Sequence, residues 1–81
     1  MVTQKLRVRM RVLDSEREPI GTVKALLDDG RHFRIDCPHA RDYYVPREHI
    51  LAIEGDDVIL RVTKRQAGYM GWELKPHTSE K

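Results

Sequence analysis

Arg7, Arg9 and Arg11, at every second position, are the residues of this chain with the plainest chemical use. On one extended strand they would project from a single face about 7 Å apart, close to the spacing of successive phosphates. With Lys64 and Arg65 they are candidates for holding a nucleic-acid backbone. The same pattern has a simpler use, because charged side chains populate the water-facing side of any half-buried strand and discourage edge-to-edge pairing. No aromatic residue interleaves with these arginines, as stacking against bases would require, so the solvated face is the favoured reading.

His32, Cys37, His39 and His49 carry the donor atoms of a zinc site, but the spacing is wrong for one. There is a single cysteine, no Cys-x-x-Cys pair and no pair of histidines four apart, so no metal and no cofactor is expected. Cys37 beside a histidine has the parts of a nucleophile and its base, yet a cysteine on an apolar strand face is ordinarily a small buried hydrophobe. The carboxylate pairs Asp28-Asp29 and Asp56-Asp57 both adjoin a glycine, where aspartate serves local turn hydrogen bonds. Without a Gly-rich phosphate loop, a nucleophile elbow or a metal motif, the chain reads as a non-enzyme, with no evident small-molecule substrate.

The remaining chemistry is apolar contact. Tyr43 and Tyr44 are adjacent in a β-prone run, so alternation sends them to opposite faces and leaves one outward. Tyr69, Met70 and Trp72 follow late in the chain and are costly to leave in water. Tyr44, Tyr69, Met70 and Trp72 are therefore candidates for a protein-interaction surface. Filling a core otherwise short of large side chains is their competing use, since Phe33 is the one phenylalanine.

The elements that must position these groups are strands. Residues 6–12 alternate apolar and charged without a break, the period of a strand with one wet face. Asp14 to Pro19 supplies turn chemistry, residues 20–27 read as a second strand, and Asp28-Asp29-Gly30 as a hairpin turn. His32 to Cys37 alternates again, with Phe33, Ile35 and Cys37 on one face. A short run at 42–45 stops at Pro46, after which one helical turn with proline at its start is expected. Residues 50–54, the turn Gly55-Asp56-Asp57 and residues 58–63 give strand, turn, strand. Beyond Lys64 the two glycines Gly68 and Gly71 argue against a helix, and the segment is expected to fold back on the barrel or to cover a partner. Six short strands with turns every eight to twelve residues suggest a small closed barrel or sandwich.

With 81 residues the chain has room for one core, placed here at residues 5–75 with loose tails at 1–4 and 76–81. Its apolar share of 40% beside 35% charged residues suits a folded domain with a heavily charged exterior. The net charge of +2 is too small to argue for nucleic acid by itself, but it is unevenly placed. Residues 1–13 hold four bases and no acid, while residues 14–63 hold seven bases against eleven acids. No apolar run approaches the length needed to cross a bilayer, and a single cysteine permits no internal disulfide, so the expected setting is the cytoplasm.

Val12-Leu13-Asp14 through Pro19-Ile20-Gly21-Thr22-Val23, then Asp42-Tyr43-Tyr44-Val45-Pro46 with Ile50, then Gly55 to Lys64 and Gly71-Trp72, resemble the bacterial PRC-barrel-like domains of unknown function. The resemblance covers roughly residues 8–72. It implies an SH3-like all-β barrel with a short C-terminal extension, used as an adaptor or assembly module, with no catalytic residues. The expected partner is a protein or a second copy of the chain as a homodimer. A small nucleic-acid or ribosome-associated barrel, working through its basic first strand, is the alternative.

Overall fold

Alternation from Pro19 onward is what builds the sheet. The structure, a computed structural model, describes residues 5–38 and 41–75; the expected tails and His39 lie outside the described residues. Six strands form one sheet: β1 (Arg11–Leu13), β2 (Pro19–Leu26), β3 (His32–Asp36), β4 (Tyr43–Pro46), β5 (Ile50–Glu54) and β6 (Asp57–Leu60). The order is β4-β3-β2-β1-β6-β5. All neighbours are antiparallel except β1 and β6, which run parallel. The sheet curls into a half-barrel, and the edge strands β4 and β5 are joined in sequence by a 3-10 turn over Arg47–His49. The small all-β architecture expected from the turn spacing is therefore present, as an open half-barrel.

The curl needs a close approach between strands. A Cβ on Gly21 would stand 2.3 Å from the carbonyl oxygen of Asp36 and 2.7 Å from Ile35 Cγ2, so only glycine lets β2 lie against β3 there. Register shifts between Val12 and Leu13 and between Val23 and Ala25 bend the sheet around this point. The concave side buries Met10, Val12, Val23, Phe33, Ile35, Val45, Val58 and Leu60. Burying each such aliphatic or aromatic side chain contributes about 1.5–3 kcal/mol.

The first strand is shorter than its alternation suggests. Arg9 takes φ +80° and the Met10 N–H turns back to the Arg7 carbonyl, so residues 7–10 form a turn and β1 starts at Arg11. Packing decides this, because the turn drops Met10 into the core while Val8 stays half exposed. The single-faced arginine ladder expected over residues 7–11 does not form. The last strand likewise ends at Leu60 and not at Thr63.

One carboxylate ties the turns together. Asp14 is 1% exposed, and its Oδ1 accepts the N–H groups of Glu16 and Glu18, each at 2.8 Å. Its Oδ2 accepts the N–H of Lys64 at 2.7 Å, fifty residues away. Burial works against the charged form, but the N–H donors of Glu18, Lys64 and Glu16 and the Lys64 charge outweigh it and hold this carboxyl below its usual range.

Two outcomes follow from these contacts. Asp14→Ala strands three backbone donors, and thermal unfolding will show a loss of about 2–3 kcal/mol, or roughly 15 °C in Tm. A carboxyl whose folded pKa is depressed stabilises above about pH 4 and loses that contribution as pH falls through the folded value, so the wild-type advantage over Asp14→Ala shrinks in acid. Gly21→Ala forces the β2–β3 backbones apart and will cost about 2 kcal/mol by chemical denaturation, with no change expected from Gly30→Ala beyond its turn strain.

Candidate functional site

The C-terminal segment is a tethered arm. Thr63 and Gln66 form a reciprocal capping box, with the Thr63 hydroxyl accepting from the Gln66 N–H and the Gln66 amide oxygen accepting from the Thr63 N–H. They start a one-turn helix, α1 (Lys64–Ala67), that buries Ala67. The expectation of no helix here is corrected by this Thr-x-x-Gln signal, which outweighs the glycines because Gly68 lies just past the last helical residue. At Gly71 the chain takes φ +74°, which reverses it and sends the next side chain inward.

That side chain is Trp72, 5% exposed. Its indole packs T-shaped against the Tyr43 and His49 rings, with ring centres 6.1 and 5.2 Å apart. Its carbonyl accepts the Tyr44 N–H at 2.6 Å, which caps the outer edge of β4. Trp72 is thus core and not contact surface. Tyr44 is half-buried on the other face of β4, with the Arg34 guanidinium 5.5 Å from its ring centre. Folding back, one of the two expectations for this segment, is what the chain does.

With Trp72 drawn in, its neighbours are pushed out. Tyr69 is 82% exposed, Met70 40% and Leu74 72%. Tyr69 and Met70 were legible as candidates; Leu74 was missed, because only the reversal at Gly71 and the inward turn of Trp72 decide its exposure. The N–H of Leu74 is held by the Gly71 carbonyl, and that of Tyr69 by Gln66. The apolar group is therefore carried on hydrogen-bonded backbone.

The basic residues separate. Arg7 binds Asp56 at 2.7 Å, Arg11 grips both carboxylate oxygens of Asp57 at 2.8 and 2.9 Å, and Arg17 does the same with Glu54. These guanidiniums surround the β5–β6 hairpin, and their hydrogen bonds pull the Asp57 and Glu54 carboxyls below their usual values. The side chains of Arg9, Lys64 and Arg65 form no ion pair among the described residues. Arg11 and Lys64 both border an apolar cleft of about 360 Å³ walled by Ile20, Cys37, Pro38 and Tyr43.

Cys37 lies in the core, and burial pushes its thiol up to about 11, so it is protonated at neutral pH. The imidazoles are engaged elsewhere, His32 with Asp29 Oδ2 at 2.5 Å and His49 with Trp72. The hairpin aspartates also do more than turn chemistry, since Asp56 holds Arg7 from the turn before β1 and Asp57 holds Arg11 from β1 itself. No helix among the described residues is long and apolar enough to cross a membrane. The sequence matches no protein-family model and none of the curated proteins.

The arm's dependence on Trp72 is measurable. Trp72→Ala will cost about 3–5 kcal/mol, enough to threaten folding at ambient temperature, whereas Trp72→Phe will retain the fold with a smaller loss by circular dichroism melting.

Proposed function

We propose that this chain is a non-enzymatic, PRC-barrel-like interaction module that self-associates through its C-terminal arm. The observation that carries the reading is the exposure of Tyr69 and Leu74, with Met70 beside them, on a segment whose backbone is already ordered by Trp72 and the capping box. Contact surfaces work best when their apolar anchors are held in place before binding, because the ordering cost of association then falls. Tyrosine and methionine are enriched at such surfaces. A small domain also gains from a partner, since so short a chain buries a modest fraction of its surface alone. Arg65 and Lys75 in the same arm, with Glu73 between them, supply charges of both signs around the apolar centre. The half-barrel is consistent with a small β-barrel, and the family and its adaptor role are extended from the sequence resemblance.

A second reading keeps nucleic acid as the partner. It no longer uses a ladder of arginines, because Arg7 and Arg11 are each neutralised by an aspartate. What favours it is Tyr69, an exposed ring four residues from the unpaired Arg65, a pairing suited to stacking against a base beside its phosphate.

Sedimentation velocity separates the readings. Wild-type protein will show a concentration-dependent dimer, and Tyr69→Ser with Leu74→Ser will leave a folded monomer. A wild-type monomer at all concentrations, with salt-sensitive binding of single-stranded RNA that Arg65→Glu abolishes, would replace the first reading with the second.

A further inference from the structure

We infer that the open mouth of the half-barrel is a separate binding site, which takes an acidic protein segment through an aliphatic anchor residue. Since β4 and β5 are edges of the sheet, the barrel does not close by hydrogen bonding between them; Trp72 covers the edge of β4, and the mouth is left on the β5 side. Leu6, Leu26, Ile50 and Ile53 line a cleft there of about 470 Å³. All four pack against the core yet remain partly wet, which leaves an apolar floor large enough for one or two inserted side chains.

The rim of this cleft is cationic. Lys5 and Arg47 border it, and Arg47 also borders an adjoining cleft of about 490 Å³ that holds Arg31 and His32. The Arg47 N–H donates to the Arg31 carbonyl at 2.7 Å, so the two arginines sit on backbones fastened to each other. The side chains of Lys5, Arg31 and Arg47 form no ion pair among the described residues, and Glu48 is the one acid among the described residues lining either cleft, while Asp29 beside it is taken up by the Arg31 N–H and the His32 ring. The contrast with the β5–β6 hairpin is what gives this weight. At the β5–β6 hairpin Arg7, Arg11 and Arg17 are each matched to an acid, whereas at the mouth three cations are left unmatched around an apolar floor.

A ligand that satisfies both features brings carboxylates to the rim and an aliphatic side chain to the floor. Nucleic acid fits poorly, because no aromatic ring among the described residues lines the mouth cleft for a base to stack on. No described residue of the C-terminal arm lines either cleft.

Fluorescence polarisation tests it with a labelled peptide of about ten residues in which a central Leu-Leu pair is flanked by Glu and Asp, titrated with the full chain. Wild type is expected to bind, with Arg47→Glu and Lys5→Glu each weakening it roughly tenfold and added salt weakening it further. A peptide with Asn-Asn in place of Leu-Leu will bind at least roughly fivefold less well, reading out the floor separately from the rim. Tyr69→Ser will bind as wild type does, so loss of self-association and loss of this site are distinguishable. Absence of binding at millimolar peptide, undiminished binding by Arg47→Glu, or equal competition by an oligonucleotide of the same charge overturns the proposal.

Discussion

The Asp14 carboxylate is the point on which the rest of the molecule hangs. It is the one buried charged side chain among the described residues, and it is kept charged by backbone donors rather than by a buried cation. Two of those donors shape the turn between β1 and β2, and the third fixes the start of α1. The adjoining Ser15 N–H donates to the Val62 carbonyl at 2.9 Å, so the β1–β2 turn and the exit of β6 are stitched at two places. A carboxylate left in an apolar site without such donors would protonate or drag water in, which is why the arrangement is all or nothing.

From that anchor the C-terminal arm inherits its direction. Because Lys64 is pinned, α1 lies where Ala67 can enter the core and Gly71 can turn the chain, so that Trp72 closes against Tyr43 and His49. The carbonyl of Trp72 and the missing N–H of Pro46 together leave β4 a poor template for another strand. The exposure of Tyr69, Met70 and Leu74 is the other side of the same geometry, since a short arm with one inward aromatic must present its neighbours outward.

Charge is sorted with equal economy. The parallel pairing of β1 with β6 sets Arg11 opposite Asp57, and the bidentate contact follows from that register. The turn at Arg9 brings Arg7 round to Asp56, so the basic start of the chain and an acidic hairpin cancel locally. Exposed pairs of this kind add little to stability, but they decide where unbalanced charge remains. It remains at Arg9, on α1 and around the barrel mouth, and the last two are the surfaces to which functions are assigned above.

Residues 19–60 were largely legible from sequence. Alternation gave β2, β3 and the inward set Phe33, Ile35 and Cys37, and the Asp-Gly and Gly-Asp steps marked hairpins whose Gly30 and Gly55 do take positive φ. Local pattern suffices there because each strand pairs with a neighbour close in sequence. The sequence by itself thus determined a small, turn-rich, all-β chain with a basic start and an acidic middle.

What only the tertiary structure decided depends on contacts between distant residues. Alternation over residues 6–12 looked unbroken, yet packing of Met10 imposed a turn at Arg9 and dispersed the arginines. Trp72 and Tyr69 are three residues apart and equally apolar in kind, but one is core and the other solvent-facing because Gly71 reverses the chain against a surface built by β4. The unmatched cations Lys5, Arg31 and Arg47 come from three separate segments, and nothing in their spacing announces a common rim. A one-dimensional pattern reports the period of a strand; which strand ends meet, and which charges are left over when they do, is set by how the sheet curls.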